Sequence, residues 1–253
     1  MRTNLFAPIQ LEEMDQVKLM NRNDQKFWFH EASLHQILQS VTEDYLILDI
    51  KGQFEFPYTS TYYDTPENRM YTYHHNGKLN RYKIRRRSYV SSGISFLEIK
   101  FKNNKGKTFK KRIPSKVNSG VFTPEERDFI KTNTPYSSED LTPSLVNQFS
   151  RLTLVNRNFR ERCTIDWNLE FKKNAAWFKL QSLTIIEIKT EGRQTQSPLA
   201  LALREERIRA SGFSKYCMGR ALTETDLKRN RFKKRIRTIA KTIETDMDLY
   251  HLI

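Results

Sequence analysis

The residues most able to do chemistry stand at alternate positions in short runs. Arg81, Lys83, Arg85 and Arg87 alternate in RYKIRRR, and Glu98, Lys100 and Lys102 in FLEIKFK. Lys110 and Arg112 alternate in FKKRI, Arg160, Arg162, Thr164 and Asp166 in RERCTID, and Glu187 and Lys189 in IIEIK. Near the start, Asp24, Lys26 and Trp28 alternate in DQKFW. A period of two puts such residues on one face of a β-strand. The positions between them are mostly apolar: Phe27, Phe29, Leu97, Ile99, Phe109, Ile113, Cys163, Ile186 and Ile188. Any one run reads as a half-buried strand with a solvated outer face. Six together set like charges side by side on neighbouring strands, which is destabilising without a counter-ion. Arginine forks grip phosphate oxygens bidentately, and lysine supplies a mobile point charge. The chemistry indicated is the holding of a polyanion.

The elements that must position these residues are many short strands and a few helices. Strands are expected at 24–29, 56–63, 80–90, 94–102, 107–113, 160–171, 177–181 and 183–191. Helices are expected at 8–20, at 33–40 with Ser33 as cap, at 66–73 and at 124–131. A further helix opens at Ser197-Pro198, pairs Glu205 with Arg209 and ends at Gly212. The last segment, from Lys228, reads as a helix with Phe232, Ile236, Ile239, Ile243 and Met247 in one stripe. Such a set argues an α+β fold with a mainly antiparallel sheet. An antiparallel β-barrel closed into a tunnel, charged faces inward and helices packed on the outside, would give the cations their counter-ion. Alternation alone is the same whether the charged face points in or out.

The chain has 253 residues, with 44 Lys+Arg against 29 Asp+Glu, a net charge of +15. That length suits one large domain or two small ones. A 38% hydrophobic and 12% aromatic content argues against disorder. No apolar run approaches the roughly 20 residues that span a bilayer, and MRTNLFAPIQ has no signal-like apolar stretch. Cys163 and Cys217 alone make neither a disulfide framework nor a four-cysteine zinc site, so a cytoplasmic location is expected. Cys163, on the apolar face, reads as a buried inert thiol, and His74-His75 as an exposed turn. Tyr62, Tyr63 and Trp167 read as core or rim aromatics. There is no GxxxxGK[ST] loop, no GxSxG elbow and no metal-spaced His pair. No RRM, KH, helix-turn-helix or zinc-finger pattern is present, so no specific nucleic acid is expected as partner.

The order and spacing of these runs resemble the polyphosphate polymerase (VTC, vacuolar transporter chaperone) domain of the CYTH-like triphosphate tunnel enzymes. The matching pieces are RNDQKFWF (22–29), STYYDTPENRMY (60–71), RYKIRRRSY (81–89), FLEIKFK (96–102) and KKRIP (110–114). FSRLTLVN then RERCTIDWNLEF (149–171), IIEIKTE (185–191) and GFSKY (212–216) follow. The resemblance covers roughly 8–222, leaving 223–253 as a basic amphipathic helix packed on that domain or extending from it.

The resemblance implies a tunnel that moves the terminal phosphate of ATP onto a growing polyphosphate chain, with Mn2+ or Mg2+ as cofactor. By the resemblance, Lys26 lies beside the reacting phosphate, and Arg85, Arg87, Lys100, Arg162 and Lys189 share the catalytic work. Lys111 or its neighbour Lys110, with Arg112, Arg151, Lys215, Arg81 and Lys83, would bind substrate, and Glu187, with Glu98, the metal. Tunnel triphosphatases open with E-x-E-x-K, whereas this chain has Arg22, Asp24 and Lys26, which favours the polymerase branch. Gly212 stands where the polymerase motif carries a second lysine. The competing expectations are a tunnel triphosphatase and a non-catalytic polyanion-binding module. Eight Lys/Arg between 228 and 241 suit docking on the barrel, or an anionic membrane surface or a membrane exporter as partner.

Overall fold

The computed structural model describes residues 5–14, 22–116, 121–192 and 197–243. Its strands are β1 (Ala7–Gln10), β2 (Arg22–His30), β3 (Tyr45–Asp49), β4 (Phe56–Asp64), β5 (Arg81–Tyr89) and β6 (Ile94–Lys102). They continue with β7 (Thr108–Pro114), β8 (Thr142–Asn156), β9 (Glu161–Lys173), β10 (Ala176–Leu180) and β11 (Leu183–Glu191). The helices are α1 (Leu11–Met14), α2 (Leu34–Gln39), α3 (Arg69–His75), α4 (Pro124–Asn133), α5 (Pro198–Glu205), α6 (Lys215–Thr223) and α7 (Lys233–Ile243).

The fold is α+β, built on a strongly curled antiparallel sheet in the order β2-β11-β9-β8-β4-β5-β6-β7. Strand β10 pairs with β9, and β3 pairs with β8 and, in parallel, with β1. Among the described residues the two end strands, β2 and β7, do not pair with each other, so the ladder is a half-barrel rather than a closed ring.

Burial follows the alternation. One core lies behind β2, β11, β9 and β8, where Phe27, Phe29, Ile186, Ile188, Cys163, Ile165, Leu152 and Leu154 meet Ile37, Leu38, Leu199 and Leu203 of α2 and α5. The other gathers Tyr63, Ile84, Leu97 and Ile99 with Ile130 of α4. It extends to Tyr216, Cys217, Met218 and Leu222 of α6, and to Ile236, Ile239, Ala240 and Ile243 of α7. The apolar stripe of α7 is thereby buried, and Lys234, Arg237 and Lys241 stay exposed. Helix α6 sits tightly on β8 and β9: a Cβ on Gly219 would stand 2.5 Å from Leu145 Cδ2 and Phe171 Cδ1.

Asp64 ties the helices to the sheet. It ends β4, and its Oδ1 accepts from the backbone N–H of Thr65 (2.8 Å) and Met70 (2.9 Å). Its Oδ2 accepts from the Tyr71 N–H (2.9 Å) and the Tyr216 hydroxyl. The Tyr216 hydroxyl also accepts from Arg220 Nη1 at 3.1 Å, and Arg220 reaches Asn68 and Glu224. One carboxylate thus caps the start of α3 and anchors α6.

Several elements differ from the sequence expectation. The expected helix at 8–20 is a strand over Ala7–Gln10 followed by the single turn α1; residues 15–20 lie outside the described set. Ser33 makes no side-chain cap; a 3-10 turn over Glu31–Ser33 comes first, with the His30 imidazole accepting from Ala32 N–H. Helix α3 starts three residues beyond Pro66, after Asn68 in the left-handed region. Helix α4 runs as expected, with a reciprocal cap between Thr123 and Glu126.

Helix α5 stops at Glu205, because Arg207 turns left-handed (φ 58°) and Ile208 N–H bonds back to the Leu203 carbonyl. Arg209 therefore lies off the helix, and its spacing from Glu205 is not a helical one. His74 and His75 belong to α3 rather than an exposed turn, and His75 is buried against Phe232. Burial and the charges of Lys83, Arg81, Arg235 and Lys102 push His74 down to about 2. Cys163 and Cys217 are both buried, and burial pushes both thiols up. The C-terminal helix begins at Lys233 after a 3-10 turn, and Met247 lies outside the described residues. No helix among the described residues is long and apolar enough to cross a membrane.

Candidate active site

Antiparallel register brings the charged alternations onto one surface, the inner face of the curl. Lys26 of β2 pairs across with Glu187 of β11, and Glu187 with Thr164 of β9. Lys189 pairs with Asp24 on one side and Arg162 on the other. Arg151 of β8 pairs with Asp166. On the opposite wall Arg85 pairs with Glu98, and Lys83 with Lys100, which pairs in turn with Lys110. Lys215, at the start of α6, points into the same space and meets Asp166.

Three carboxylates organise this surface, and each is shared by two cations. Glu187 accepts from Lys26 Nζ at 2.7 Å and lies 2.9 Å from Lys189 Nζ, one ammonium on each oxygen. Glu98, fully buried, takes Arg85 through Nε (2.8 Å) and Nη2 (2.6 Å) and Lys110 on its other oxygen. Asp166 holds Arg151 in a bidentate pair (2.6 and 2.8 Å) and also accepts from Lys215. Burial disfavours all three anions, but the facing charges win. Lys189 and Lys26 hold Glu187 well below the usual carboxylate range, Arg85, Arg87 and Lys110 do so for Glu98, and Arg151 and Lys215 for Asp166.

Arg87, Lys100 and Lys83 make no ion pair with a carboxylate among the described residues. Arg87 donates from Nε to the Ser60 hydroxyl (3.3 Å) and lies over the rings of Tyr58 and Phe149 at 5.3 and 5.7 Å. Burial and the charges of Arg85 and Arg151 bring it down to about 10. Lys100 makes no hydrogen bond or ion pair among the described residues. The charge of Arg85, then burial, then Arg87 hold its ammonium well below the usual lysine range. Lys83 donates to the Ser214 hydroxyl at 2.9 Å, and burial lowers its pKa too. Lys100 feels Glu187 on the far wall, and Lys83 feels Lys26, so the two walls face each other across one space. A surface with this surplus of buried positive charge is complementary to a chain of phosphates.

The sequence pattern of the VTC domain matches residues 21–224. The chain belongs to the VTC domain family. No curated protein sequence matches it. Among solved structures it is similar to a putative adenylate cyclase from Vibrio parahaemolyticus, at 12% identity over 77% of this chain and 97% of that one, with a TM-score of 0.45. It is also similar to a putative adenylyl cyclase from Hippeastrum described as having a dominant triphosphatase activity, at 13% identity over 78% and 94%, with a TM-score of 0.46. At these scores neither likeness decides anything about this VTC domain's chemistry.

Within the VTC domain, Lys26, Lys83, Arg85, Arg87, Lys100, Arg151, Arg162, Glu187, Lys189 and Lys215 are all on the inner face or directed into it. Arg81 is at its margin, donating to the Lys78 carbonyl, and Arg112 is at the other end, over Phe96 at 4.4 Å. Lys111 is not in the group. It faces outward and donates to Asn133 of α4 at 2.6 Å, because alternation gives the inner position to Lys110. Removing Lys110 should weaken tripolyphosphate binding by about tenfold, the scale of one charge-assisted contact. Lys111→Ala, on the exposed outer face, should leave it within twofold; titration calorimetry of both variants checks this.

Sequence reading missed Tyr62, whose hydroxyl accepts from Arg85 Nη1 at 3.2 Å, and Ser60, which steers Arg87. Both alternate on β4 with Tyr58, a signal available in YTSTYY but masked by its lack of charge. Among the described residues no three His, Cys, Asp or Glu side chains gather as a metal cluster. Glu98 does not fit a metal, since it is fully buried with both oxygens committed to Arg85 and Lys110. Glu187 also has a lysine on each oxygen, and would take a metal by exchanging Lys26 or Lys189 for it. It is partly open, and a hard divalent ion takes one or two carboxylates and fills its shell from substrate phosphate and water.

Proposed function

We propose that this VTC domain is an ATP-dependent polyphosphate polymerase whose inner face forms the wall of a phosphate-holding tunnel. The observation that carries the reading is the unbalanced inner face: among the described residues Arg87 and Lys100 make no ion pair, and Glu98, Glu187 and Asp166 each already serve two cations. In the proposed reaction the oxygen of the chain's end phosphate attacks the γ-phosphorus of ATP. The bond from that phosphorus to the β–γ bridging oxygen breaks, and ADP leaves. No protein nucleophile is needed, so catalysis is positioning plus charge stabilisation.

Arg85 and Arg151 are held rigid by bidentate or forked pairs and would fix the phosphate chain in register. Lys26, with a side chain 31% exposed, would meet the transferring group on leaving Glu187. Glu187 would hold Mn2+ or Mg2+, which would supply charge neutralisation to the bound phosphates. Lys189 and Lys26 would then be released from Glu187 to bind phosphate. The open edges of β2 and β7 are read as the seam of the tunnel. The exposed cations of α7, Lys234, Arg237 and Lys241, suit an anionic membrane surface or an acidic face of an exporter.

A tunnel triphosphatase is the second reading. The solvent access of Lys26 and Glu187 favours it, since water could reach the same phosphorus. Incubation with ATP and manganese, followed by a gel for chain length, separates the two. Long chains with ADP support the polymerase; ADP and free phosphate without chains support hydrolysis and remove the polymerase reading.

Protonation of Lys100 gives a further check. Its pKa, held low by Arg85, burial and Arg87, rises when bound phosphates add negative charge facing its ammonium. The bound form then holds more protons, so affinity is full below the free-protein pKa and falls as pH rises toward the bound one. Calorimetry in buffers of different ionisation heat should register proton uptake on tripolyphosphate binding, and Lys100→Met should diminish it.

A further inference from the structure

The inner face changes character at its end by the β5–β6 hairpin. There the alternation that gives Arg85 and Arg87 continues to Tyr89, and the alternation that gives Glu98 continues back to Phe96 and Ile94. Tyr89 and Phe96 meet edge to face at 5.9 Å, and Tyr89 also touches Tyr58 at 4.9 Å. Both rings are half-buried, and Val90 and Ile94 beside them are 53% and 52% exposed. Arg112 lies over Phe96 at 4.4 Å, and Arg87 lies over Tyr58 at 5.3 Å. An apolar aromatic lip thus adjoins a cationic channel. A phosphate chain has nothing to gain from such a lip. A ligand that is a triphosphate at one end and a flat heteroaromatic ring at the other matches both parts at once.

We propose that Phe96 and Tyr89, with the Arg112 guanidinium, form the stacking site for the base of the nucleoside triphosphate donor. The inference rests on the polymerase reading only in taking a nucleotide as donor. The contacts at the lip are ring faces and a guanidinium plane, so the site is expected to be tolerant of the base. Stacking is sequence-tolerant because every base has a π-face.

The test compares two ligands that share phosphates and differ in the base: ATP and inorganic tripolyphosphate, by titration calorimetry with magnesium. Phe96→Ala should weaken ATP about tenfold, within the range of one lost base stack, and change tripolyphosphate by less than twofold. Phe96→Leu, which keeps the apolar volume, should weaken ATP by a similar factor while the thermal midpoint stays near wild type. GTP should follow ATP in both variants. Equal losses on both ligands would mean that Phe96 only positions Arg112, and would overturn the stacking site; so would an ATP affinity unmoved in both variants. If the wild-type protein bound neither ligand, the channel reading itself would fall, and the stacking site with it.

Discussion

Lys26→Ala should lower the rate of chain synthesis by about 10^2- to 10^3-fold, the range seen when one transition-state donor is removed. Lys26 is the inner-face cation most exposed among the carboxylate-paired set of the β2–β11–β9 wall, and its acid, Glu187, keeps Lys189 when it is lost. No carboxylate is stranded, so the fold should persist with the thermal midpoint within a few degrees. Lys26→Arg should not restore the rate, because a planar fork does not follow a moving point charge as an ammonium does. Binding of tripolyphosphate should fall far less than turnover, since Arg85, Arg87, Lys100 and Arg151 remain. Single-turnover kinetics with labelled ATP, beside calorimetry, gives both numbers. Equal losses in binding and turnover would make Lys26 one more wall charge instead of the group at the reacting phosphate.

Asp64→Ala should have the largest effect on stability of any single change away from the channel. It strands the buried N–H groups of Thr65, Met70 and Tyr71 and the Tyr216 hydroxyl, and leaves Arg220 facing a cavity. Breaking a buried charged network this way costs about 3–5 kcal/mol. For a domain of this size that corresponds to a fall in thermal midpoint of roughly 6–20 °C. The loss also reaches the channel, because Tyr216 follows Lys215, and Ser214 holds Lys83. Asp64→Asn keeps one acceptor oxygen and should lose about half as much. Differential scanning calorimetry of the three proteins decides; a midpoint unchanged in Asp64→Ala would remove Asp64 as the anchor of α6.

Much of the sheet was legible because its residues alternate cleanly. The expected 94–102 and 183–191 coincide with β6 and β11, and the expected 80–90 and 160–171 differ from β5 and β9 by a residue or two. Strand β8 was missed as a strand because it is long and carries an extra residue, Ser144, opposite Tyr62 and Tyr63, which breaks the period that alternation relies on. Helix α6 was missed because its nine residues are nearly all buried, and a buried helix shows no polar face to give a helical period. The inner direction of the charged face was not legible in the sequence, since alternation is the same either way. It follows from the long-range pairs, Lys26 with Glu187 and Lys215 with Asp166, which join residues far apart in the chain. The slip between Lys110 and Lys111 shows the same limit: two adjacent lysines are equivalent in type and opposite in face.

The most direct test of the account is a crystal structure with manganese and tripolyphosphate. The account predicts phosphates along the inner face, in contact with Arg85, Arg87, Lys100 and Arg151, with the metal on Glu187. Phosphate bound instead to the exposed cations of α7, with the Lys26–Glu187 and Arg85–Glu98 pairs undisturbed, would contradict it.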